Sequence, residues 1–333
     1  MTRALRVGII GAGYWGEQLI RVFRGIPAVD MRVAYDSDSR CRSALKGTIE
    51  TCDSVETLLQ HADIDAVLVA TPPSSHFAVA RAVIGAGKHC WVEKPLAMRA
   101  SDARELVESA RTRRLTLFVD ETFLYDPLVQ QAKAWMEAGR LGRIYHLSFQ
   151  RLGMGRIRRD SDVWWNSAPH DLSMLCYLLP GSVDELRVDR FAYLQPGIAD
   201  ISVATVRLAG GVSAHIYLSW LSPLKVASLV IVGSRGLVHY EGRFDQRALR
   251  FFDYVTADPE TAAGNVVPIP VFEATETIKG GPEEPLTLAA RSFVTSIHTG
   301  VSAPSAGEYS QRVVELLEAG ATPLQAAQPL IHP

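Results

Sequence analysis

The stretch Arg6-Val7-Gly8-Ile9-Ile10-Gly11-Ala12-Gly13-Tyr14-Trp15-Gly16 decides the fold. Val7, Ile9 and Ile10 read as a buried strand, and Leu19, Ile20 and Phe23 beyond Gly16 repeat as one face of a helix. Between them lie three glycines in the G-x-G-x-x-G spacing of the dinucleotide-binding fingerprint. Gly11 makes the tight turn, Gly13 admits a pyrophosphate to the backbone, and Gly16 brings helix and strand close. The helix N-terminus then offers N–H groups and a positive dipole end to the phosphates. Tyr14 and Trp15 lie inside this loop and count with the glycines as cofactor contacts.

Asp36 closes the next apolar stretch (Val29, Met31, Val33, Tyr35), twenty positions after Gly16. An acid at that distance is placed to hold a ribose diol. Its charge would repel a 2′-phosphate, so NAD is expected, with NADP possible because Ser37 and Arg40 lie just beyond.

Bulk properties narrow the classes. A chain of 333 residues has room for two domains. With 47% hydrophobic and 21% charged residues it reads as an ordinary soluble globular protein. A net charge of −2 makes no case for nucleic acid. No apolar run approaches the ~18 residues of a membrane span, and the first strand begins too early for a signal peptide. Cys41, Cys52, Cys90 and Cys176 are scattered without a C-x-x-C pair. They predict reduced thiols of a cytoplasmic protein and no metal site.

Up to about residue 122, short apolar runs alternate with helical patterns, which predicts a doubly wound parallel sheet. Its strands include Ala66–Ala70, Cys90–Val92 and Leu115–Val119. Beyond Asp126-Pro127 the pattern changes to hairpins about Gly210-Gly211 and Gly233–Gly236, the mark of an antiparallel sheet. Helices are expected over about 128–138, 169–179, 286–298 and 309–319, with a surface excursion over 256–285. The fold class is thus α/β: a Rossmann domain (1–122) followed by an α+β domain (123–333) with an open, mostly antiparallel sheet.

Ligands of an open parallel sheet bind outside the carboxyl ends of its strands. Thr71, Pro72 and His76 lie in one such loop, and Glu93 and Lys94 in another. Lys94, stiffened by Pro95, is suited to stabilise a developing alkoxide or to act as acid and base, and alternatively to be one half of a surface pair with Glu93. Pro169 suits the first position of a helix, which would set His170 at its positive end as a neutral proton acceptor, or as a structural cap. Ser173, Met174 and Tyr177 share that helix face. Arg151, Arg156, Arg158 and Arg159 form a basic segment that either holds a substrate phosphate or carboxylate or is solvated. Trp165, Asn166, Asp171 and Tyr177 complete the candidate substrate contacts.

These residues resemble the Gfo/Idh/MocA oxidoreductases, the relatives of glucose–fructose oxidoreductase and inositol dehydrogenase. The resemblance runs over nearly the whole chain. It is carried by the glycine loop, Ala70-Thr71-Pro72-Pro73-Ser74-Ser75-His76, Val92-Glu93-Lys94-Pro95-Leu96, Leu141-Gly142-Arg143-Ile144 and Pro169-His170-Asp171. It implies NAD(P)-dependent oxidation or reduction of a sugar, nucleotide sugar or cyclitol. It places the family's catalytic lysine on Lys94 and its catalytic histidine on His170. It also implies a homodimer or homotetramer formed through the C-terminal sheet. Many members carry an aspartate four residues before the histidine, where this chain has Asn166, and an amide takes no proton. The Trp-x-x-x-Pro-His-Asp pattern is similar to the branch that handles nucleotide-linked sugars. The resemblance leaves two alternatives: an NAD-retaining glycosidase that oxidises transiently, and a non-catalytic dinucleotide and sugar sensor. A sensor has no need of both Lys94 and His170.

Overall fold

In a computed structural model of the chain, which describes residues 3–154, 157, 159, 161–243, 246–254 and 273–324, the opening stretch forms strand β1 (Leu5–Ile10) and helix α1 (Tyr14–Arg24). Strands β2 (Val29–Tyr35), β3 (Glu50–Thr51), β4 (Ala66–Val69), β5 (His89–Val92) and β6 (Leu117–Val119) join β1 in a parallel sheet of order β3-β2-β1-β4-β5-β6. Helices α2 (Ser39–Ala44), α3 (Val55–Gln60), α4 (His76–Gly85) and α5 (Ala100–Thr112) make the crossovers. The order reverses between β1 and β4, so the loops after those strands flank the point where such sheets take ligands. Ala66, Val67, Leu68 and Val69 are all fully buried, which is why β4 reads as an unbroken apolar run.

The chain divides into two units. The first runs to Tyr125 and regains Glu283–Glu318; the second comprises Asp126–Pro282 with a short return from Ala319. Helices α8 (Pro285–Thr299) and α9 (Gly307–Ala319), which the sequence reading grouped with the second domain, therefore pack largely in the first unit. Phe293 of α8 packs edge-on against Trp91 and Phe118, and those two rings stack on one another at 4.4 Å. Beyond α8, the Ser305 carbonyl accepts a hydrogen bond from the Val119 amide at 3.0 Å. Hydrophobic periodicity says that a helix has an apolar face but not which sheet that face will cover.

The second unit holds helices α6 (Pro127–Glu137) and α7 (Val163–Leu178) and eight strands. These are β7 (Ile144–Leu152), β8 (Val183–Phe191), β9 (Ile201–Leu208), β10 (Ser213–Ser219), β11 (Val226–Gly233), β12 (Gly236–Glu241), β13 (Ala248–Asp253) and β14 (Glu276–Lys279). Their order is β14-β13-β12-β11-β7-β10-β9-β8, antiparallel throughout except for the parallel pair β7–β10. Both expected hairpins form, as β9–β10 and β11–β12. Strands β8, β13 and β14 were not anticipated, and the expected excursion over 256–285 falls partly outside the described residues. α7 packs on β9 and β10, and α6 on β12 and β13. Burial alternates accordingly: Ser202, Ala204, Val206 and Leu208 of β9 are buried, while Val203, Thr205 and Arg207 are exposed.

Candidate active site

The glycine turn has the shape a dinucleotide requires. Gly11 has φ +95°, and a Cβ there would lie 2.6 Å from the Ala70 carbonyl at the end of β4. A Cβ on Gly16 would lie 2.1 Å from the Gly11 oxygen, so only glycine lets α1 pass this close to the turn. A Cβ on Gly13 would meet nothing within 4 Å, leaving open space where backbone and ligand can approach. Gly13 is the N-cap of α1, and no side chain caps that N-terminus. An uncapped first turn with open space before it suits an anion such as pyrophosphate. Tyr14 and Trp15 flank the turn at 67% and 45% exposure.

Asp36, just past β2, accepts hydrogen bonds from the Ala12 amide at 2.7 Å and the Asp38 amide at 2.8 Å. The acid is thereby tied to the glycine loop. Ser37 is exposed. The Arg40 guanidinium pairs with Asp38 at 2.7 Å, with three further hydrogen bonds between the two residues. Arg42, which carries no motif signal in the sequence, donates to the Asp36 carbonyl at 2.5 Å.

The loops after β4 and β5 complete this edge of the sheet. Thr71 is half-buried and accepts from the Ser75 hydroxyl at 2.8 Å, and Pro72 is exposed. His76, expected to line a cofactor site, is instead fully buried. Its ring nitrogens lie 2.7 Å from the Pro95 carbonyl oxygen and 2.8 Å from that of Thr71, so it ties these two loops together. The Lys94–Pro95 peptide is cis, and Lys94 is half-buried at the strand end. Glu93 is only 6% exposed, and the next strand end presents Asp120 and Glu121, each 2% exposed. The alternative of a surface pair of Glu93 and Lys94 is therefore set aside: the lysine lies beside three buried carboxyl groups. Asp120 and Glu121 were missed, although they stand directly after an apolar run ending at Val119, just as Glu93 and Lys94 stand after Val92. That parallel is the signal in the sequence that could have found them.

In the second unit, α7 departs from expectation. It begins six residues before Pro169, at Val163, and its N-cap is Asp162, which accepts from the Trp165 amide at 2.9 Å. Asp162 is held in turn by an ion pair with Arg190. Pro169 is a buried interior residue of the helix, and His170 lies at mid-helix rather than in its first turn. His170 is therefore remote from the positive helix end, whose influence falls off within the first turn. The early start does set Asn166, His170, Ser173 and Tyr177 along one helix face. Trp165 is half-buried, and the Asn166 amide donates to the Ser167 hydroxyl at 3.2 Å.

The basic segment is only partly described. Arg156 and Arg158 lie outside the described residues, and Arg159 is exposed. Arg151 makes a two-pronged contact with Asp171 at 2.8 and 3.3 Å, and Asp171 is 1% exposed. This pair braces α7 against β7; both residues were expected to contact substrate. Tyr177 lies beneath the Lys133 ammonium, 4.1 Å from ring centre to nitrogen. Among the described residues no cluster of side chains has metal-ligand character.

Comparison with known proteins agrees with this architecture. The oxidoreductase family with an NAD-binding Rossmann fold matches residues 5–121, and the Gfo/Idh/MocA C-terminal domain matches residues 129–239. The UDP-N-acetylglucosamine 3-dehydrogenase of Acidithiobacillus ferrooxidans is 29% identical over 213 residues, covering 64% of this chain and 66% of that protein. The inositol 2-dehydrogenase of Acidothermus cellulolyticus is 29% identical over 230 residues, covering 65% and 67%. The chain thus spans about two thirds of the length of these curated relatives. A crystal structure of the Acidithiobacillus enzyme superposes with a TM-score of 0.80 at 22% identity, covering 96% of this chain and 97% of that one. A 3-ketoreductase from Actinomadura kijaniata, solved with NADP, gives 0.82 at 18% identity, covering 95% and 96%. The chain belongs to the Gfo/Idh/MocA oxidoreductases, and its first unit is their NAD-binding Rossmann domain.

Proposed function

We propose that the protein oxidises or reduces a secondary alcohol or ketone on a sugar, nucleotide sugar or cyclitol, with NAD as its redox partner. One observation carries this reading. The carboxyl edge of one parallel sheet collects the open glycine turn, Asp36, the Thr71 loop and Lys94. When bound, the nicotinamide supplies the two-electron acceptor or donor for the reacting carbon. The first turn of α1 would face the pyrophosphate. Asp36, fixed by Ala12, would take the ribose diol and disfavour a 2′-phosphate. Arg40, held by Asp38, is not poised to offset that preference.

Lys94 hydrogen-bonds the reacting oxygen and stabilises its negative charge as the C–O bond order changes. His170 takes the hydroxyl proton in oxidation and returns it in reduction. Asn166, one helical turn before His170, is an orienting neighbour and not a proton carrier. The relatives' names point the same way: beside the two dehydrogenases above stands a dTDP-3,4-didehydro-2,6-dideoxy-alpha-D-glucose 3-reductase of Streptomyces violaceoruber, 33% identical over 154 residues.

The open face of the eight-stranded sheet, with Val203 and Tyr217 exposed, is read as a homo-oligomer contact. A cytoplasmic location fits the four free cysteines, of which Cys90 and Cys176 are buried. No helix among the described residues is long and apolar enough to cross a membrane.

The test is a thermal-shift screen with NAD, NADH, NADP and NADPH, repeated with nucleotide sugars, sugar acids and cyclitols. Ligand at a hundredfold excess over its Kd stabilises the fold by about 2.7 kcal/mol. A shift with NAD(H) that grows with one sugar class, and then turnover of that class, is the expected result. Turnover with no net change in NADH absorbance would favour the NAD-retaining glycosidase. That reading has a relative of its own, a glycosyl hydrolase family 109 protein of Streptomyces filamentosus that is 34% identical over 155 residues, 31% of its length.

A further inference from the structure

The proposed function gives the buried acids beside Lys94 no part in hydride or proton transfer at the reacting carbon. β5 and β6 run parallel with Val92 opposite Val119, so Glu93 and Asp120 are the next residues past that pair on adjacent strands. The Asp120 amide donates to the Val92 carbonyl at 2.9 Å, which holds the two strand ends in register. The in-register strand ends and their burial set the two carboxyl groups side by side, close enough that each shifts the other's titration. Two ionised carboxylates only repel one another, and a hydrogen bond between them needs a proton on one. Both groups are almost completely withdrawn from water, where two adjacent negative charges would be strongly unfavourable.

The remaining contacts locate the proton. Asp120 Oδ1 accepts from the Thr122 hydroxyl at 2.7 Å, which supports negative charge on Asp120. Glu93 Oε1 is buried and has no hydrogen-bond partner among the described residues. An ionised Glu93 would leave half its charge without a donor, whereas a protonated one leaves only a carbonyl-like oxygen. We propose that Glu93 and Asp120 share one proton, carried on Glu93, and that this acid pair positions Lys94 by setting one negative charge, and not two, against its ammonium.

Burial and the charge of Asp120 push the Glu93 carboxyl well above the usual carboxylate range, and burial raises Asp120 as well. The other titratable groups facing the pair within this unit are Lys94, which opposes both shifts, and Glu121 and Tyr125, which lie just past β6. A single shared charge balances the lysine and keeps it protonated.

The functional half of this proposal rests on the reading of Lys94 as the group at the reacting oxygen; the shared proton does not. Infrared difference spectroscopy on the full chain at neutral pH should show the carbonyl stretch of a protonated carboxylic acid. The band should shift in D2O and disappear in Asp120→Asn, where Glu93 carries the charge alone. Absence of the band from the wild-type protein overturns the shared proton, whatever the protein catalyses.

The charge on Lys94 is read from the pH dependence of its acylation, located by peptide mass, and from the alkaline limb of the kcat/KM profile. Asp120→Asn retains one negative charge and should leave both limbs in place. The double variant Glu93→Gln/Asp120→Asn removes that charge and should move both to lower pH by about one unit, the smaller end of the effect of a nearby opposite charge. Unmoved limbs in the double variant overturn the positioning role. Should the double variant not fold, moved limbs in Asp120→Asn overturn it as well. If Lys94→Ala keeps its turnover while the band and the acylation limb behave as stated, the reaction assigned to Lys94 fails and the acid pair stands.

Discussion

Asp36 and Glu93 occupy equivalent positions in one sheet, each the first residue past a parallel strand and each on the carboxyl edge. Asp36 is half-buried and meets two main-chain N–H donors. Glu93 is buried and meets another carboxyl group. The difference is one of partners, not of residue type. On the function proposed above, the end of β2 presents an acceptor to a ligand. On the proposal of a shared proton, the end of β5 sets the charge around a lysine. The proposed function assigns binding and chemistry to different strand ends of the same sheet.

Removing the lysine tests that division most severely. Lys94→Ala should lower kcat by roughly 10²–10⁴, the range of a positioned acid–base group, while the dinucleotide Kd from calorimetry barely moves. A large loss of dinucleotide affinity would erase the distinction between the two ends. Gly16→Ala acts at the binding end, because its Cβ would press on the Gly11 oxygen, which is main chain and cannot swing away. A loss of about 1–3 kcal/mol in urea unfolding and a much weaker NAD shift are expected.

Asp36→Asn should be milder. About tenfold weaker NAD binding, near 1.4 kcal/mol, is expected, together with a gain in NADP relative to NAD. Equal losses for both dinucleotides would remove Asp36 from the ribose. The smallest effect concerns pH and stability. Glu93 holds its proton in the folded chain to higher pH than it would when unfolded. Its contribution is therefore fully present below the ordinary carboxylate range and is lost as pH rises through the folded value. The Tm of Glu93→Gln should accordingly gain on that of the wild type between about pH 4 and neutrality. A constant difference over that span would show that Glu93 ionises normally.

The site was legible in proportion to how local its signals are. Gly11, Gly13, Gly16 and Asp36 announce themselves by spacing, because a tight turn and the first residue past the next strand are set by a few consecutive φ values and one strand length. Lys94 was legible as a strand-end residue before proline. His76 was misread because nothing in Thr71–His76 shows that the imidazole turns inward to the Pro95 carbonyl, nineteen residues away. α7 was misread because Pro169 is a strong start signal, and the competing cap, Asp162, owes part of its hold to Arg190 on β8. Arg151 looked like an anion ligand until β7 and α7 brought Asp171 to it.

Sequence alone determined the strand–turn–helix opening, the alternation that makes a parallel sheet and the later change to hairpins. Each depends on side-chain periodicity and backbone conformation over a few residues. Tertiary structure decided that α8 and α9 pack with the first unit, that Arg151 is spent on Asp171, and that Glu93 faces Asp120. Those outcomes depend on which distant groups come together out of water, where an acid's neighbours settle its charge and an arginine's partner settles its use.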